Sequence, residues 1–272
     1  ATPSATRSFQ SPPVSRLSIA SFPDAKSPGA CFPRSAKPWP PRSPTCPRAS
    51  TSACSAALLC GNDQVFRHTL ANREHTRLIL PMVDEVLSEA GLVLSQLDAL
   101  AFTAGPGSFT GIRIGFGVVQ GLAFGADLPV IPVSSLETLA HTAIRKLAIS
   151  AGTYVLPMLD ARMDEVYWGL FEYNGTDLNR VSRDSLTPPE EVVSPFSERP
   201  HTVIGDGWNY ADRIPLEPGA FNSALLPEAR DVLTIALREA NAGKACSVDQ
   251  AQPVYLRNEI TWKKRQRLRK VT

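Results

Sequence analysis

Apolar and polar positions along the chain follow two periods in turn. Ala53 to Leu59 and Gln64 to Leu70 read as strands, and Asn62-Asp63 between them can turn the chain, so the pair predicts a β-hairpin. Leu78, Met82, Val83, Val86, Leu87 and Ala90 then recur at helical spacing, with Thr76 as N-cap, Gly91 as the stop and Pro81 kinking the first turn. Asp98 to Thr103 and Pro129 to Val133 read as buried strands, and Ser134-Ser135-Leu136-Glu137 as a capping box that opens a helix to about Ala148. A second cycle starts at Thr153. Strand Tyr154 to Leu159, a polar turn from Asp160 to Asp164 and strand Glu165 to Tyr173 repeat the opening hairpin. His201 to Ile204 is a short strand, Pro227 to Ala240 a helix closed by Gly243, and Pro253 to Leu256 a last short strand. Two hairpin-then-helix units predict a duplicated α/β fold with mixed sheets, an N-terminal lobe over residues 49–150 and a C-terminal lobe over 151–272.

Composition separates the first fifty residues from the rest. They hold 11 of the 24 prolines, 10 serines, 7 Lys/Arg and one acid, Asp24, whereas residues 51–272 hold 21 Lys/Arg against 25 Asp/Glu. The net +2 therefore conceals a basic, proline-rich leader on a slightly acidic body, which excludes a genome-coating basic protein. Prolines at this density prevent the amphipathic helix of a transit peptide, so residues 1–48 are expected to be disordered. No run approaches the roughly 18 to 20 apolar residues of a membrane span. Five cysteines, odd in number and never spaced CxxC, indicate neither a disulfide framework nor a zinc knuckle. A soluble protein of a reducing, cytoplasmic compartment is expected.

The stretch with most chemical information is Gly105-Pro106-Gly107-Ser108-Phe109-Thr110-Gly111-Ile112-Arg113-Ile114-Gly115, which follows a strand and opens a helix running to about Gly125. Backbone N–H groups and the helix dipole can hold an anion in that context. The pattern departs from known phosphate loops, however: Ile112-Arg113 stands where a Walker loop has Lys-Ser/Thr, and the third glycine comes one position late for a dinucleotide fingerprint. Anion binding and a tight turn with a closely packed helix both remain open. Asp160 either faces a phosphate or pairs with Arg162 in its turn. His68, His75, His141 and His201 each lack a histidine four residues away, so no metal pair is visible, and His75 at a helix start reads as a capping or interface residue. The basic segment Arg257 to Lys270, with seven Lys/Arg and Trp262, reads as a solvated terminus or an RNA contact.

Arg73-Glu74-His75-Thr76, the run Gly105 to Gly115, Asp160-Ala161-Arg162 with Glu165-Val166-Tyr167-Trp168, and Pro253 to Asn258 followed by Trp262-Lys263-Lys264 together resemble the bacterial TsaB (YeaZ) family, in order and spacing, over residues 50–264. The resemblance implies an actin-like ATPase (ASKHA) fold of two ribonuclease-H-like lobes. It implies a non-catalytic partner of the TsaD enzyme in making N6-threonylcarbamoyladenosine beside the tRNA anticodon, with no cofactor of its own and with ATP and metal used by the partner proteins. TsaD-like and TsaE-like proteins are the implied partners, with a homodimer when alone, tRNA met indirectly and no membrane. The competing reading is a stand-alone phosphotransferase or peptidase of the same fold. The family's phosphate hairpin begins with an aspartate that ends an apolar strand, whereas Arg48-Ala49-Ser50-Thr51 stands here, preceded by Pro44 and Pro47. The leader is accordingly expected to come from a shifted frame or misassigned start, with the family's first strand missing unless Val14 to Phe22 supplies it.

Gly111, Ile114, Gly115, Val118, Gly121, Leu122 and Gly125 share one stripe of the 108–125 helix, where interior glycines each cost about 0.5 to 1 kcal/mol. The stripe either packs inside its own lobe or receives another helix, and the resemblance favours a partner interface. Gly105, Gly107, Ser108, Asp160 and Arg162 are the expected phosphate or partner contacts.

Overall fold

The computed structural model describes residues 16–21, 52–71, 74–196 and 198–257. Its first sheet has five strands: β1 (Arg16–Ser21), β2 (Ser52–Cys60), β3 (Asp63–Ala71), β4 (Ala99–Gly105) and β5 (Val130–Ser134), in the order β3-β2-β1-β4-β5. β1 is central, antiparallel to β2 and parallel to β4, with Ile19 opposite Ala57 on one side and Ala101 on the other. This corrects the expectation of a wholly disordered leader and a missing first strand. Between Pro13 and Pro23 the sequence is free of proline, and Leu17-Ser18-Ile19-Ala20 has the alternation that a strand needs. The other residues of the leader lie outside the described ones.

Side-chain alternation along β2 assigns the two faces of this sheet. Cys54, Ala56 and Leu58 join the core under α1 (His75–Glu89) and α2 (Phe109–Ala126), whereas Ala57 joins a separate core on the other face. α1 starts one residue before the expected cap, with Glu74 at the N-cap position and Pro81 tolerated inside it. α2 is 18 residues long with mean hydropathy 1.2, enough by length and composition to cross a membrane, but its inward side packs on β4.

The second sheet is built on β6 (Thr153–Arg162), β7 (Glu165–Trp168), β8 (Phe171–Tyr173), β9 (Leu178–Arg180), β10 (Ser185–Thr187), β11 (His201–Ile204) and β12 (Ala220–Asn222). Its main path is β10-β7-β6-β11-β12, with β8 and β9 beside β6. The strand expected from Glu165 to Tyr173 is broken at Gly169-Leu170. There Leu170 receives a hydrogen bond on its carbonyl from the Val181 N–H (2.8 Å) and donates its own N–H to Ser182 Oγ (2.9 Å), which takes it out of the ladder.

The helices of the two halves are exchanged between the lobes. α3 (Ser135–Lys146), expected in the N-terminal lobe, packs Leu136, Leu139, Ala140 and Ala143 against Val155, Leu159, Phe171 and Ile204 of the second sheet. α4 (Ala229–Asn241), expected in the C-terminal lobe, packs Val232, Leu233, Ile235 and Ala236 on Ala57, Ala99, Ala101, Ile131 and Val133 of the first. A boundary at residue 150 therefore does not describe the packing. The capping box of α3 is half formed: Ser134 Oγ accepts from the Glu137 N–H (3.3 Å), while the Glu137 carboxylate turns to Arg180 and Arg238 (2.9 and 2.7 Å).

α3 and α4 meet through buried charge. Arg145 donates to both carboxylate oxygens of Asp231 (2.8 and 2.7 Å) and to Glu228 (2.7 Å), Thr142 Oγ1 donates to Asp231 (2.7 Å), and Lys146 pairs with Glu228. Burial alone would push the Glu228 carboxyl up, but Lys146, Arg230 and Arg145 outweigh it and hold the group below the usual range. Removing one partner of such a buried cluster costs about 3 to 5 kcal/mol, because the other charges stay desolvated. Arg145→Ala is expected to lower unfolding stability by that order in denaturant titration, far more than Arg77→Ala, whose partner Glu74 is exposed. Ile19→Pro, which removes a ladder donor from the central strand, is expected to abolish the cooperative melt of the first lobe in circular dichroism, whereas a truly disordered leader predicts no change.

Candidate functional site

β4 leaves its sheet at Gly105 and passes through Pro106 and Gly107 into the N-terminus of α2, where Ser108 Oγ accepts from the Gly111 N–H (3.3 Å) as N-cap. β6 ends in a hairpin to β7 whose tip holds Arg162, Met163 and Asp164 in succession at φ 63°, 58° and 62°. Left-handed backbone at non-glycine residues costs about 1 to 2 kcal/mol each, so this tip needs external support. Three groups supply it. Asp160 Oδ1 accepts from the Arg162 N–H (2.8 Å) and from Tyr210 Oη (3.3 Å), Arg213 lies 3.5 Å from Asp164, and Arg257 donates to the carbonyls of Ala161 and Arg162 (3.1 Å each).

A cleft of about 470 Å³ lies between the α2 N-terminus and this hairpin. Gly107, Ser108, Asp160 and Arg162, four of the expected contacts, line it together. Gly105 lies behind, where its φ of 115° and the Val254 carbonyl, 2.8 Å from where a Cβ would stand, require glycine. Asp160 is paired with the backbone N–H of Arg162. Phe109, Thr110, Ala161, Tyr167, Val254, Tyr255 and Arg257 complete the lining, and none of them was singled out by sequence reasoning as a site residue. The signal for three of them was the Pro253 to Arg257 run. That run is not the expected strand; it makes one ladder-like bond, Val254 N–H to the Ala104 carbonyl (2.7 Å).

At the mouth, the Arg113 guanidinium lies 3.7 Å from the centre of the Phe109 ring, and Arg113 Nε donates to Tyr255 Oη (3.2 Å). Behind Asp160, the segment Asp206–Arg213 begins with a buried carboxyl that sequence reasoning passed over. Asp206 Oδ1 accepts from the Asp160 N–H (3.0 Å), and Oδ2 is buried with no hydrogen-bond partner. Glycines flank it because a side chain at Gly205 would collide with the Met158 carbonyl. Burial pushes the Asp206 carboxyl up to about 7, with the Asp160 charge adding to the rise and the Asp160 N–H and Arg162 opposing it.

The histidines occupy separate elements: His68 on β3, His75 at the start of α1, His141 on α3 and His201 on β11. Among the described residues no group of three or more His, Cys, Asp or Glu gathers at ligand distance. Burial pushes the Cys54 thiol up to about 11, opposite to what a nucleophile needs.

The fold and the cleft can now be set beside known proteins. The family model described as "TsaD: tRNA N6-adenosine threonylcarbamoyltransferase" matches residues 68–216. The "tRNA threonylcarbamoyladenosine biosynthesis protein TsaB" of Haemophilus influenzae is 40% identical over 223 residues, spanning 79% of this chain and 93% of that protein. Its Escherichia coli counterpart is 41% identical over 221 residues, spanning 79% and 94%. The chain belongs to the TsaB (YeaZ) family. A solved structure of YeaZ from Pseudomonas aeruginosa matches with TM-score 0.75 at 36% identity, covering 89% of this chain and all of the other. The two-lobed α/β architecture of this TsaB-family chain is thus the actin-like ATPase fold that the resemblance implied.

Along α2 the expected interface stripe divides. Gly111 and Gly115 are buried, and Ile114, Val118 and Leu122 pack at the margin of the core, whereas Gly121 and Gly125 are exposed. The side open to solvent carries Arg113, Gly117, Gln120, Gly121, Phe124 and Gly125, displaced from the expected one by part of a turn. The single stripe failed because three- and four-residue spacings drift around a helix over five turns.

The buried acid yields a prediction with a definite sign. The folded state holds the Asp206 proton up to about pH 7 and the unfolded chain loses it near the ordinary aspartate value of 3.8, so stability falls as pH rises through that window. Asp206→Asn is expected to flatten the stability profile between pH 4 and 7 by up to about 4 kcal/mol, measured by urea unfolding at several pH values. An unchanged slope would place the ionisation elsewhere.

Proposed function

We propose that this chain is the non-catalytic partner of a TsaD-type transferase in forming N6-threonylcarbamoyladenosine on tRNA, and that it docks through the exposed side of α2. What supports the pathway is the role for which its TsaB relatives are named, matched over nearly their whole length. What supports the surface is one observation: Gly117, Gly121 and Gly125, one turn apart, have open space where a Cβ would stand, beside Phe124 at 85% exposure. Glycines at these solvent positions cost helix stability with no internal packing reason. A second helix laid against them recovers that cost by close backbone approach, with Phe124 as its apolar anchor.

In this reading the isolated chain pairs with itself through the same side, exchanges that partner for the transferase in a cytoplasmic complex that also admits a TsaE-type ATPase, and meets tRNA only within it. ATP and metal belong to the partners. The cleft residues Gly107, Ser108, Asp160 and Arg162 then serve as a partner or phosphate contact.

Gly121→Leu tests the surface. The substitution adds about 1 kcal/mol of helix propensity at an open position, so the monomer is expected to melt at the same temperature or higher. Binding to the TsaD-type protein from the same source, followed by calorimetry, is expected to weaken at least tenfold. Unchanged affinity would remove α2 from the interface. Gly115→Leu is no such test, since Gly115 is buried. Sustained ATP hydrolysis by the purified chain without partners would favour the stand-alone phosphotransferase instead.

A further inference from the structure

We infer that residues 253–257 form a strap that latches the two lobes together across the cleft, with Arg257 as its hook. Each end of the strap holds a different lobe. On the first, Val254 N–H donates to the Ala104 carbonyl (2.7 Å), and Tyr255 packs against Phe109 with the rings tilted by 47° (5.5 Å between ring centres) while its hydroxyl accepts from Arg113. On the second, Arg257 donates to the Ala161 and Arg162 carbonyls and pairs with Glu165. Only Leu256 separates the two sets of contacts.

The strap is fitted at both ends. Gly105 has no side chain, and that alone lets the Val254 carbonyl lie against the end of β4. Arg257, with 18% of its side chain exposed, brings a single guanidinium nitrogen, Nη2, to the successive carbonyls of Ala161 and Arg162 where the hairpin enters its left-handed tip. Val254, Tyr255 and Arg257 all line the cleft whose opposite walls they join, so parting those walls requires one end of the strap to let go. The inference concerns the lobes of this chain and stands whether or not the α2 surface binds a transferase.

Reciprocal substitutions on the full-length chain, read by amide hydrogen exchange, test the latch. Arg257→Ala cuts the hook on the second lobe. Exchange is expected to quicken roughly tenfold at the far end, at Val254 and in residues 104–108, as well as locally in 160–165, with α1 and β2 unchanged. Gly105→Ala displaces the strap from the first lobe, and the expected distant effect is faster exchange in 161–165. If Arg257→Ala does not fold, Arg257→Met keeps the packing of the stem while losing every donor to the Ala161 and Arg162 carbonyls and the charge beside Glu165, and it is expected to show the same pattern at severalfold. Quickening confined to the hairpin in the Arg257 variants, or confined to residues 104–108 and 253–256 in Gly105→Ala, would overturn the inference, leaving Arg257 a local brace.

Discussion

The two-lobed arrangement depends on the buried ionic joint between α3 and α4. Each helix leaves the lobe that its place in the chain suggests and packs on the other sheet, so neither lobe has a complete core without a helix from the other half. Where the helices meet, the buried carboxylates of Asp231 and Glu228 are met by Arg145, Lys146 and Thr142. An apolar joint would tolerate sliding, whereas a bidentate guanidinium contact accepts one geometry. The direction in which the α2 N-terminus faces the β6–β7 hairpin, and with it the cleft, follows from that contact.

Much of this was legible from pattern. The paired strands β2 and β3, the core helices, the Ser134 cap and the repeat in the second half all follow from local periodicity and capping, and the family motifs brought Gly107, Ser108, Asp160 and Arg162 into one cleft. What was not legible is what local pattern does not encode. The exchange of α3 and α4 is decided by which sheet offers a complementary face, a property of tertiary packing that leaves no period in the helix itself. β1 was legible only as the lesser alternative, Val14 to Phe22, because eleven prolines in fifty residues weigh against the proline-free run that contains Leu17-Ser18-Ile19-Ala20.

The misreading of α2 and the omission of Asp206 have a common origin. Both were judged by residue type without the direction of the side chain. Five glycines on one helix serve two purposes, Gly111 and Gly115 allowing close packing inside and Gly117, Gly121 and Gly125 clearing space outside. Asp206 stands in a Gly-Asp-Gly turn that reads as an exposed loop, yet it is among the buried charged residues because β11 delivers it beneath Asp160. Pro253 to Leu256 reads as a strand by residue type, yet with Arg257 it reaches across two lobes rather than pairing in a sheet.

The alanines under α4 have a consequence for the molecule as a machine. Ala57, Ala99 and Ala101, beside Ile131 and Val133, form the floor on which α4 rests, so over three of these five positions only a methyl group lies between the helix and the sheet. α4 is rigidly joined to α3, and α3 carries the core of the second sheet. A methylene added to that floor would therefore not be absorbed locally: it would act as a shim under one arm of a lever, and the displacement would be felt at the hairpin tip on the far side of the cleft.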